Sequence, residues 1–103
     1  MSSSRSEVLK SMLAQDPANT FARYGLAMEY VNGGELDLGV TEFQRLMQAN
    51  PDYVAAYFHS GQALEKLGRL DEARATYEQG IEACQRTGDG HTLAEISAAL
   101  DLL

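Results

Sequence analysis

The stretch Tyr57–Ala83, YFHSGQALEKLGRLDEARATYEQGIEA, spaces its apolar and small residues three or four apart, pauses at Lys66-Leu67-Gly68-Arg69, then resumes the spacing. Residues three and four apart share one face of a helix. The stretch therefore predicts two helices folded back on each other about Gly68. Tyr57, Ser60, Gly61 and Leu64 form the inner face of the first, and Ala73, Tyr77, Gly80 and Ile81 that of the second. A glycine inside a helix is unfavourable by about 1 kcal/mol relative to alanine, so Gly80 implies close approach of a neighbouring helix. Gly61 opposite Ala73 predicts backbones in near contact within the hairpin.

The same pattern stands one unit earlier in the chain, with residues 20–53 lying over residues 54–87 without a gap. Leu26-Ala27 falls on Ser60-Gly61, Tyr30 on Leu64, Gly34 on Gly68, Leu36 on Leu70, Asp37 on Asp71, Gly39 on Ala73, Phe43 on Tyr77 and Ala49 on Ala83. This unit also divides at its glycines, because Gly33-Gly34 suits the left-handed geometry after a helix end. Asn50-Pro51 stops its second helix, and Asp52 is expected to cap the next. The flanks continue the scheme. Asp16-Pro17 precedes Asn50-Pro51 by the same interval, which puts Leu9, Met12 and Leu13 where Phe43, Leu46 and Met47 fall. Residues 5–16 thus read as the second helix of a repeat whose first helix is absent. Beyond Gly88 and Gly90, Leu93, Ile96, Leu100 and Leu103 make one helical stripe, read as a terminal helix covering the open end. Six helices are expected, at about 5–16, 19–33, 36–49, 53–67, 70–86 and 90–102, and no strand.

These units resemble tetratricopeptide repeats, a family with about 34 residues per repeat and fixed large and small positions. Tyr57, Gly61, Leu64, Leu70, Ala73, Tyr77 and Gly80 match those positions in the second unit, and Leu26, Ala27, Tyr30, Leu36, Gly39, Phe43 and Pro51 in the first. Arg23, Ser60, Leu46 and Gln85 depart from them, standing where the family has an aromatic residue, Leu, Ala and Pro. The resemblance implies an all-α, antiparallel helix-hairpin solenoid coiled as a right-handed superhelix. It implies one domain over residues 1–103: a half-repeat helix (5–16), two repeats (20–53 and 54–87) and a C-terminal capping helix (90–102).

Composition narrows the chemistry. The chain has 103 residues, the length of one small domain, with a formal net charge of -7 and a sequence pI near 4.6. Phosphate binding needs clustered Lys and Arg, so neither nucleic acid nor an anionic membrane is an expected partner. No apolar run approaches a membrane span. MSSSRSEVLK has no apolar segment after its basic residue and does not read as a secretory signal; Met1 reads as a natural start. The single Cys84 permits no internal disulfide and fits a reducing cytoplasm. Near the end of its helix, it reads as a half-buried structural residue. No cofactor or metal site is expected, since the only histidines are His59 and His91. Ser60 beside His59 makes no catalytic pair, because adjacent helical side chains diverge by about 100°. Gly-rich NGGELDLG lacks the Lys of a phosphate loop. The chain is not expected to be an enzyme.

Binding is the expected role. In the family resembled, the first helices of successive repeats line a concave surface. The lining positions here are Phe21, Tyr24, Gly25, Met28, Val31 and Asn32, then Ala55, Phe58, His59, Gln62, Glu65 and Lys66. Helical spacing independently groups Tyr24, Met28 and Val31 into a stripe distinct from the inward Leu26, Ala27 and Tyr30, with Phe58, Gln62 and Glu65 equivalent one layer on. Aromatic and Met side chains on one face suit an apolar peptide or helix of a partner protein. Some family members clamp a C-terminal carboxylate with Lys and Asn at these positions; only Lys66, with Asn32 as helper, is suited to that. The resemblance implies a scaffold or co-chaperone-like adaptor. The alternative is a self-associating protein, a homodimer included, joined through its apolar faces and end helices.

Overall fold

The computed structural model describes residues 2–103, with side chains from Arg5 onward. It contains six helices and, among the described residues, no strand: α1 (Ser2–Gln15), α2 (Thr20–Asn32), α3 (Leu36–Ala49), α4 (Val54–Lys66), α5 (Leu70–Thr87) and α6 (Gly90–Asp101). Each packs on its neighbours in the chain, and α4 also touches α6. The result is the expected stack of hairpins, measuring 37 × 28 × 19 Å. No helix among the described residues is long and apolar enough to cross a membrane.

The turns repeat with the sequence. Gly34 (φ +83°) ends the first hairpin's leading helix and Gly68 (φ +75°) the second's. Each lets the chain reverse so that the next amide returns to the helix: Glu35 N–H donates to the Tyr30 carbonyl at 2.8 Å and Arg69 N–H to Leu64 at 2.9 Å. Asn19 caps α2 by accepting from Ala22 N–H at 3.0 Å, and Asp89 caps α6 by accepting from Thr92 N–H at 2.9 Å. Asp52 does not cap α4. The cap residue is Tyr53, without a side-chain bond, and the Asp52 carboxylate turns instead to Arg86 Nη2 of α5 at 3.0 Å.

The core runs through the stack in three contiguous clusters. Leu9, Ala22 and Leu26 join α1 to α2; Ala27, Phe43, Leu46 and Ala56 join α2, α3 and α4; Val40, Tyr57, Leu64, Ala73, Tyr77, Cys84 and Ile96 join α3 through α6. Cys84 is fully buried, deeper than its place near a helix end suggests. At Gly61, expected to stand in near contact with the backbone at Ala73, the nearest atoms all belong to the Tyr77 side chain. The Tyr77 ring fills the space, and a Cβ on Gly61 would lie 2.6 Å from its Cδ1 and Cζ. Close backbone approach occurs instead at Gly39, where a Cβ would stand 3.2 Å from the Ala27 carbonyl and 2.6 Å from Val31 Cγ2. The fully buried Tyr77 donates its hydroxyl to Glu65, which fixes the ring and pushes its pKa well above the usual tyrosine range, burial being the larger cause.

The departures from the repeat pattern have their own partners. Arg23 Nη1 meets Glu42 Oε1 at 2.7 Å, and Arg45 Nη1 meets Glu42 Oε2 at 2.7 Å. Arg23 Nη2 also donates to the Pro17 carbonyl at 3.0 Å. Glu42 is only 7% exposed, so the two arginines compensate an otherwise uncompensated buried charge. Leu46, larger than the residue usual there, is completely buried. Ser60 is completely buried too, and its Oγ has no hydrogen-bond partner.

Two neighbouring substitutions should move stability in opposite directions. Ser60→Ala removes an unsatisfied buried hydroxyl and should gain about 1 kcal/mol. Gly61→Ala gains helix propensity but drives a methyl into the tethered Tyr77 ring, for a net loss of about 1–2 kcal/mol. Urea unfolding followed by helical circular dichroism measures both. A Gly61→Ala protein as stable as its parent would mean that the ring can move aside.

Candidate partner-binding groove

The first helix of each hairpin has two faces. Leu26 and Ala27 on α2, and Ser60, Gly61 and Leu64 on α4, point into the stack and are buried. The opposite positions are less covered, and here the two layers meet through aromatic rings. Tyr24 is the hub: its ring lies 5.3 Å from Tyr53, 5.9 Å from His59 and 6.1 Å from Phe43, centroid to centroid. His59 stacks on Phe43 at 6.2 Å and 17°, and meets Phe58 edge-on at 5.4 Å. Phe43 is a buried floor, while Tyr24, Tyr53, Phe58 and His59 are half-buried around it. A depression of about 340 Å³ opens beside this cluster, lined by Tyr24, Asp52, Tyr53, Val54 and Ala55.

The predicted lining residues divide into three groups. Tyr24, Met28, Phe58 and His59 are half-buried and belong to or flank the aromatic cluster. Asn32, Gln62 and Lys66 are exposed, and Gln62, Glu65 and Lys66 line a second depression of about 210 Å³. Val31 and Glu65 also serve the fold: Val31 covers Gly39, and Glu65 accepts from Tyr77. Phe21 is 67% exposed at the start of α2. Two contributors were missed. Tyr53 precedes its helix and shows no periodic signal. The α6 stripe was legible as a cap, since two extra residues in the turn put Leu93, Ile96, Ser97 and Leu100 over Tyr57, Ser60, Gly61 and Leu64, but its outward face was not singled out. The same register puts Ala94, Glu95, Ala98 and Asp101 over Phe58, His59, Gln62 and Glu65, and all four are exposed.

The electrostatics follow from this packing. Burial pushes the His59 imidazole below its ordinary value of 6.5, and the nearby Glu95 carboxylate of α6 pulls it partly back. Burial raises the Tyr24 phenol, with Tyr53 adding to the effect. Burial likewise raises the Cys84 thiol, with Asp89 second. Nothing in this surface orients a nucleophile or a base. It offers apolar area, ring faces and a few polar contacts.

A stack of helical hairpins that leaves one aromatic face of its leading helices open is a repeat protein of the interaction-module class. The chain belongs to the tetratricopeptide repeat family, whose model matches residues 24–86. It is 31% identical over 94 residues to a TPR repeat-containing protein of Pseudomonas aeruginosa, PA0015, an alignment covering 91% of this chain and 90% of that one. The solution structure of a tetratricopeptide repeat domain protein from Salinibacter ruber is 38% identical with a TM-score of 0.76, over 82% of this chain and 86% of that one. At 22% identity the likeness is of fold alone: the second TPR domain of human RPAP3, in complex with HSP70 peptide SGPTIEEVD, superposes with a TM-score of 0.75 over 90% of this chain and 76% of that chain.

His59 gives the fold a pH dependence of known sign. Its folded pKa lies below its unfolded one, so the unfolded chain takes up the proton first as pH falls. The stability associated with neutral His59 is full above about pH 6.5 and is lost as pH drops through the folded value. The melting temperature should therefore fall between about pH 7 and about pH 5, and His59→Gln should flatten part of that slope. An identical slope in the variant would assign the whole effect to the carboxylates.

Proposed function

We propose that this chain is a non-enzymatic adaptor that holds an apolar peptide or helix of a partner protein in the groove formed by α2, α4 and α6. The observation that carries the proposal is the half-open cluster of Tyr24, Tyr53, Phe58 and His59 over Phe43. Aromatic side chains dominate binding energy where they are rigid and partly desolvated. These rings are held by one another and by the core, so little ordering remains to oppose association. The peptide seen with the RPAP3 domain supports segment capture by this fold. The clamp for an acidic terminus is not part of the proposal, since Tyr24, Met28, Phe58 and Gln62 offer no cation and only Lys66 does. The reading takes residues 1–103 as one domain working in the cytoplasm, and gives Asn32, Gln62 and Lys66 the polar rim.

Two exposed apolar side chains favour self-association as a second reading: Leu102 at 87% and Val8 at 60% exposure, at opposite ends of the chain. Sedimentation across a range of concentrations separates a monomer from that assembly.

The test compares the immobilised protein with a Tyr24→Ala/Phe58→Ala variant in an extract of the source cells. The native protein should retain a partner that the variant loses, the loss being about 2 kcal/mol or more per anchor. The variant should keep its helical dichroism and a cooperative melt. Equal retention by both would move binding to another face. A variant that unfolds would make these side chains core rather than site.

A further inference from the structure

The groove is not uniform along the stack. On α2 its side chains are Tyr24, Met28 and Asn32, which carry no charge. On α4, Glu65 and Lys66 oppose each other, and the Glu65 carboxylate already accepts from Tyr77. On α6 the register positions are Ala94, Glu95, Ala98 and Asp101, and that helix contains no Lys or Arg. Glu95 and Asp101 are exposed, and the charge of Glu95 reaches the His59 ring on α4. His91 Nε2 on the same helix lies 3.6 Å from the Glu95 carboxylate. Along α2, α4 and α6 the outward register positions thus pass from aromatic and uncharged to acidic. The methyl groups of Ala94 and Ala98 share a helical face with Asp101, a shelf on which a long aliphatic stem can lie while its charged head reaches a carboxylate.

Resting on the groove reading above, we propose that the segment bound is polar in direction: apolar or aromatic residues against Tyr24, Met28 and Phe58, then Lys or Arg residues, one against Glu95 and one against Asp101. Neighbouring helices lie about 8–10 Å apart, so α2 to α6 spans roughly 20 Å, the length of about six extended residues or about 13 helical ones. A second copy of the chain fits this face poorly. A two-fold contact sets a surface against itself, or brings acid near acid in a chain whose formal net charge is -7. An acidic peptide meets the same repulsion at α6.

The test selects random peptides displayed on phage against the immobilised full chain, then measures the synthetic winners by fluorescence anisotropy. The targets are the native protein, Tyr24→Ala, and Glu95→Gln/Asp101→Asn, whose changes are exposed and leave the core untouched. Expected are winners with basic residues beside apolar ones, binding that weakens as salt rises, and about two- to fivefold weaker binding for each acid removed. Winners that are neutral or acidic, yet lost on Tyr24→Ala, would overturn the charge assignment and leave the groove reading standing. Winners that bind all three proteins equally would overturn both. So would a chain that selects no peptide and sediments as a dimer.

Discussion

The stack depends on one contact geometry, a large side chain of one helix seated over a small residue of the next. Tyr77 lies on Gly61, Val31 on Gly39, Tyr57 with Ile96 on Gly80, and Leu9 on Gly25. Each pair sets how closely two helices approach, and each lies within or between consecutive layers. Because the interior tolerates neither voids nor added methylenes, the choice of large and small residue fixes the register of every layer. The repeat period is this geometry written along the chain.

Such packing uses only the inward stripe of each leading helix. The outward stripe of α2, α4 and α6 is free to vary, and the chain's chemistry gathers there. Tyr24 shows how the stripes are joined. Its ring touches Phe43, which is core, and also Tyr53 and His59, which border the groove. The groove is therefore an extension of the second core cluster to the surface. Its rings are held by packing, which is the physical basis for the preorganisation that the proposed binding would use.

Helix number, helix order and most of the core were legible because period and punctuation agree: apolar spacing, paired glycines and Asn-Pro or Asp-Pro stops all point to the same boundaries. What was not legible rests on contacts between residues distant in sequence. Gly61 was matched with Ala73 by repeat position, yet Tyr77 fills its space, since a ring reaches farther than register alone indicates. Asp52 has the composition of a cap but meets Arg86, near the far end of α5. Glu42 is buried, and nothing in its own helix announces that Arg23 stands opposite. The groove stripe on α2 and α4 was legible from spacing. Tyr53 was not, being outside any helix; the register of α6 is legible once two extra residues are allowed in the turn before it, and only its outward face carries no signal of its own.

One exception to the pattern couples α2 to its surroundings. Arg23 replaces an aromatic residue and is neutralised by Glu42, which Arg45 completes. Breaking such a buried pair from one side is unfavourable by about 3–5 kcal/mol, while replacing it whole by apolar residues is often neutral. Its presence is therefore not explained by stability alone. The pair joins α2 to α3, and Arg23 reaches further to the Pro17 carbonyl ahead of α2. Together the two bonds tie the turn before α2, the helix bearing Tyr24 and α3. An ion pair demands alignment that an aromatic contact does not, so the exchange favours a fixed orientation of α2. The consequence falls on the groove, because α2 supplies its uncharged end.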